Sequence, residues 1–144
     1  MQMLIKQLLI PFFSLLLISC ASGPKYAEMA QGFDRLDAAQ GRIYLYRPSS
    51  MGAAVRPKVK INGEVVGEAI SHGFFFIDRD PGEYTIMTST EVDRSLSLSL
   101  DAGQTRYVRL SISIGFFVGH VYPELVDISV GEEEIKELSY TGGQ

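Results

Sequence analysis

Apolar and polar residues alternate with a period of two along most of this chain, in short runs closed by turn residues. Ser95-Leu96-Ser97-Leu98-Ser99-Leu100 is the cleanest run. Successive side chains of an extended strand point to opposite faces, so its three leucines share one side and its three serines the other. A helix would scatter the same leucines around its circumference. Arg42 to Arg47 alternates in this way, as do Val59 and Ile61 with Lys58 and Lys60. In a later run Val108, Leu110, Ile112 and Ile114 form the inner row, with Tyr107, Arg109, Ser111 and Ser113 outside. Tyr84 to Thr90 is rich in the β-branched and aromatic types that strands favour. Gly73-Phe-Phe-Phe-Ile77 is continuous, as expected of a strand buried on both faces.

The runs end where turns are chemically favoured: Pro48-Ser49-Ser50, Asn62-Gly63, Asp80-Pro81-Gly82 and Asp101-Ala102-Gly103. Asn-Gly between alternating runs specifies a hairpin, because both central residues of a type I′ turn need positive φ. About seven short strands follow, and they predict a mainly β chain with a single antiparallel β-sandwich over residues 41–144. That domain closes on a short C-terminal helix. Ser129-Val130-Gly131-Glu132 has the spacing of a capping box, which would place Glu132, Glu133 and Glu134 at the positive end of the helix dipole. In the preceding segment, Tyr26, Met29, Phe33 and Leu36 recur at helical spacing. Residues 20–40 therefore read as a tether with a short helix whose apolar face packs on the domain.

Residues 1–19 differ from all this. Lys6 precedes an apolar stretch from Leu8 to Ile18, too short to span a bilayer comfortably but of the length and polarity of a secretory signal. Where it stops stands Cys20, the one cysteine of the chain, so no intramolecular disulfide can form. Leu17-Ile18-Ser19-Cys20 resembles the lipobox of bacterial lipoproteins. That resemblance implies a diacylglyceryl thioether on Cys20, cleavage before it and acylation of the new amino terminus. Ala21 follows Cys20 where an aspartate would imply retention in the inner membrane, so the resemblance implies an outer-membrane anchor with a periplasm-facing domain.

A second resemblance spans most of the chain after Cys20. Gly41-Arg-Ile-Tyr-Leu-Tyr-Arg47, Ile61-Asn-Gly-Glu-Val-Val-Gly67, Pro81-Gly-Glu-Tyr84 and Ala102-Gly-Gln104 occur in that order. The pattern resembles domain-of-unknown-function family 2846, found in small bacterial lipoproteins. Its turns are also similar to those of PEGA and carboxypeptidase-regulatory-like modules. The resemblance implies a prealbumin-like sandwich and brings no catalytic residues with it.

With 144 residues and a net charge of −4, the chain suits one mildly acidic domain. It has no lysine or arginine cluster, which argues against nucleic-acid partners, since these demand phosphate neutralisation. No cofactor motif is present. His72 and His120 are the only histidines; with Asp78 or Asp80 they could assemble a metal centre, but their spacing matches no metal-binding motif. Asp78-Arg79-Asp80 begins like a calcium loop, but Gly82 occupies the third ligand position. Two surfaces remain as candidates for recognition. One is the aromatic segment with Phe116, Phe117, His120 and Tyr122; the other is the outward row of Tyr44 and Tyr46 beside Arg42. The expectation is a non-catalytic lipoprotein that binds or assembles with an envelope protein. A glycan- or small-ligand-binding domain is the alternative, and a metal-dependent enzyme a remoter one.

Overall fold

The computed structural model describes residues 20–89, 94–114 and 119–142. Residues 1–19, expected to be a signal peptide, and the pair Phe116 and Phe117 lie outside them. In chain order the elements are α1 (Tyr26–Met29), β1 (Gly41–Arg47), β2 (Lys58–Ile61), β3 (Glu64–Glu68) and β4 (Gly73–Arg79). Then come β5 (Gly82–Thr88), β6 (Arg94–Leu100), β7 (Thr105–Ile114), β8 (Gly119–Val126), α2 (Ile128–Ile135) and β9 (Ser139–Tyr140). The chain is mainly β, with a five-stranded sheet ordered β8-β7-β1-β4-β9 and a four-stranded sheet ordered β3-β2-β5-β6.

The two sheets face each other as a sandwich. Ile43, Leu45, Val108 and Leu110 point inward from the first; Val59, Ile61, Ile86, Leu98 and Leu100 meet them from the second, with Phe75 and Val121 filling between. Each such side chain contributes about 1.5–3 kcal/mol by leaving water. The period-two runs thus do what their pattern requires. In β6 Leu98 and Leu100 are buried and Leu96 partly so, with Ser95 and Ser97 exposed. Asn62 and Gly63 both take positive φ, 49° and 85°, in the β2–β3 turn.

Three features differ from the sequence reading. First, there are nine strands rather than about seven among the described residues, and two pairings, β1 with β7 and β4 with β9, are parallel. The reason is the turn at Asp101–Gln104, which carries the chain from one sheet to the other. It docks on the start of β1 through Gly103 N–H donating to Gln40 O and Arg42 N–H donating to Gln104 O, each at 2.8 Å. A strand entering beside the start of β1 must run the same way. Alternation fixes which face a side chain takes and not the direction of the neighbouring strand.

Second, the outer face of the five-stranded sheet is not open. Tyr44, Tyr46, Phe74 and Tyr107 form a second apolar layer with Ile135, the last residue of α2, and Leu138 beyond it, and Tyr26 and Phe33 pack on it from residues 20–40. Every residue of β1 is buried as a result. Third, α2 begins at Ile128 with Asp127 in the capping position, and no side-chain cap bond is made. Ser129 and Glu132 therefore lie inside the helix, and the capping box is not formed.

Candidate functional site

The residues singled out by sequence fall in three places. Tyr44 and Tyr46 retain 6% and 0% of their surface, so neither presents a recognition face. The Tyr44 ring stacks on Tyr107, with centroids 5.0 Å apart and planes 9° from parallel. Tyr46 Oη donates to a Glu134 carboxylate oxygen at 2.6 Å, and Arg109 donates to the other at 2.7 Å. Burial, reinforced by Glu134, holds the Tyr46 phenol far above its usual pKa; burial also raises Tyr26, to about 12. Beside them Arg42 donates to both Asp78 oxygens, at 2.7 and 2.8 Å, and to Asp34 O at 3.0 Å. Its guanidinium lies over the Phe76 ring, 4.1 Å from the centroid. Asp78 is committed to this fork, whose bonds raise the Arg42 pKa further above its normal value. These groups tie the outer layer down.

The histidines are separated. His72 sits before β4 with φ of 54°, in the turn that leaves β3, and His120 lies in β8 opposite Ser113. Between β4 and β8 stand β1 and β7, three strand spacings or about 14 Å. Among the described residues no group of three or more His, Cys, Asp and Glu side chains converges as metal ligands would. His120, Tyr122 and Glu124 share the face of β8 opposite to that of buried Val121, across from Ser113, Ser111 and Arg109. Two of the six proposed recognition residues, His120 and Tyr122, are thus brought together and partly accessible.

The most developed surface surrounds Cys20, at the end of the sandwich where β1 finishes and β4 begins. Cys20 makes a parallel bridge to Ser71, and Ala21 N–H donates to Ser71 O at 2.9 Å. Ser71 Oγ donates in turn to Ser49 O at 2.7 Å. The chain then runs back along β9: Tyr140 N–H donates to Pro24 O at 2.8 Å and Tyr26 N–H to Leu138 O at 2.9 Å. Gly23 lies so close to the Tyr140 carbonyl that any Cβ would overlap it. Residues 20–26 are therefore a strap fastened to the domain.

Beside Cys20 the connection 48–57 is held by Arg47, whose side chain is wholly buried. Its guanidinium donates to four carbonyls: Val55 at 2.7 Å, Ala69 at 2.8 Å, Met51 at 2.8 Å and Gly52 at 2.9 Å. Burial draws the Arg47 pKa down, and the four carbonyl dipoles offset the lost hydration. Met51 and Val55 remain exposed at 52% and 41%. Arg56 closes a shallow cavity of about 210 Å³ that Cys20, Ala21, Ile70 and Thr141 also line. Sequence reading found Cys20 but missed Arg47 and this loop; the available signal was Met51 and Val55, two apolar residues in a segment bounded by Pro48 and Pro57.

A family model described as a protein of unknown function, DUF2846, matches residues 37–121. A protein of Haemophilus influenzae (strain ATCC 51907 / DSM 11121 / KW20 / Rd), described as uncharacterized, is 28% identical over 88% of this chain and 78% of its own length. No solved structure matches the chain.

Proposed function

This chain belongs to the DUF2846 family, and on that premise we propose that it is a lipid-anchored lipoprotein of the bacterial envelope. Residues 1–19 are its signal peptide, Cys20 carries the diacylglyceryl and amide-linked acyl groups, and residues 41–144 form a non-catalytic domain facing the periplasm from the outer membrane. It acts by binding or assembly. The observation that carries this reading is Leu17-Ile18-Ser19-Cys20 at the close of a short apolar leader. No helix among the described residues is long and apolar enough to cross a membrane. Attached chains would supply the hold instead: each buried methylene adds about 0.8 kcal/mol, and two or more chains anchor stably where one does not.

The far end of the sandwich supports the binding role. Leu125, Ile128 and Val130 are exposed there, and Leu125 and Ile128 line a recess of about 440 Å³ together with Arg106 and Asp127. This apolar surface with charged edges lies away from Cys20, where a periplasmic protein could reach it.

Separation of native-host membranes by density tests the anchor. The wild-type chain is expected in the outer-membrane fraction and Cys20→Ser absent from it, because a hydroxyl cannot form the thioether. Equal amounts of both in that fraction would refute the anchor.

A further inference from the structure

We infer that the connection 48–57 is a membrane-contacting prong, with Met51 and Val55 seated at the boundary between headgroups and acyl chains of the leaflet that holds Cys20. The inference rests on Cys20 being acylated. A free tether of twenty residues would let the domain stand up to about 70 Å from the bilayer. No such freedom exists here, because the first residue of the processed chain is bridged to Ser71 and the second is hydrogen-bonded to it. Lipid attached at Cys20 is attached at the surface of the domain itself. The end that carries it must then lie against headgroups.

On that end, Met51 and Val55 are the large apolar side chains left exposed among the described residues. The loop bearing them is joined to the Cys20 strap through Ser71 and Ser49. Arg47 fixes the carbonyls of Met51, Gly52 and Val55, so the prong is formed before it meets a membrane. Arg56 and Lys58 follow directly, with Glu68 paired opposite Lys58 in the β2–β3 ladder. Two apolar residues followed by two bases suit a surface of mixed zwitterionic and anionic phospholipid.

The test uses full-length lipidated protein from its native host, reconstituted in vesicles of phosphatidylethanolamine and phosphatidylglycerol. Acylation consumes Cys20, so a cysteine introduced as Met51→Cys or Ala102→Cys is the one thiol open to an environment-sensitive dye. Ala102 is exposed in the turn at the opposite end. Nitroxide-bearing lipids are expected to quench the dye at position 51 about twofold or more over the dye at 102, since interfacial side chains lie about 5–10 Å deep. Equal quenching at both positions in protein that floats with the vesicles would overturn the prong while leaving the anchor intact. Failure of the wild-type protein to float would overturn both.

Discussion

Arg47 is the residue whose surroundings say most about how the Cys20 end is built. An arginine without any exposed surface usually faces a carboxylate, but here its two terminal nitrogens serve backbone carbonyls at 51, 52, 55 and 69. The planar fork suits this task, since its two separated terminal nitrogens reach four fixed acceptors, whereas a lysine ammonium offers three donors from one point. Arg47→Leu removes the charge and leaves the carbonyls of Met51, Val55 and Ala69 without a donor, whereas Gly52 O keeps the Val55 N–H at 2.9 Å. Buried acceptors left unpaired cost about 1–3 kcal/mol each, and water will reach the two on the loop. The substitution is therefore expected to lower unfolding free energy by about 2–4 kcal/mol, read as a shift of the urea midpoint at unchanged slope. An unshifted midpoint would mean the staple is idle.

Among the elements, α2 has its closest approach to the sheet at Gly131. Gly131 packs so tightly on the Tyr107 ring that a Cβ there would overlap Cβ and ring carbons alike. Alanine would favour the helix by about 1 kcal/mol on propensity alone. The overlap outweighs this gain, because Tyr107 is stacked on Tyr44 and both are buried. Gly131→Ala is expected to destabilise by a net of about 1–3 kcal/mol, measured by thermal unfolding, whereas exposed Glu133→Ala should change little. A stabilised Gly131→Ala would show that α2 can lift freely off the sheet.

The same helix shows why part of the fold was hidden in the sequence. Period two located the strands and Asn62-Gly63 located a hairpin, because both depend on neighbouring residues alone. Burial of Tyr44 and Tyr46 depends on Ile135, Leu138 and Tyr26, far away in the chain, and tyrosine suits a half-exposed face as well as a covered one. The parallel pairing of β1 with β7 is equally remote. Cys20 was legible as a candidate because its leader adjoins it; Arg47 was not, because its partners are carbonyls, which no side-chain pattern records.

At the level of the whole molecule the two ends differ. One holds Cys20, Met51, Val55 and Arg56; the other exposes Leu125, Ile128 and Val130. Between them lie the sandwich core and an outer layer tied by Arg42–Asp78 and by Glu134 with Tyr46 and Arg109. A body of this kind, fastened at one pole, would present the other to the periplasm. The proposal stands on the covalent state of a single sulfur atom. Mass spectrometry of the first peptide of protein purified from its native host is expected to find a chain starting at Cys20, with a diacylglyceryl thioether on Sγ and an acyl amide on its nitrogen. A bare thiol, or a peptide that still contains residues upstream of Cys20, would contradict it.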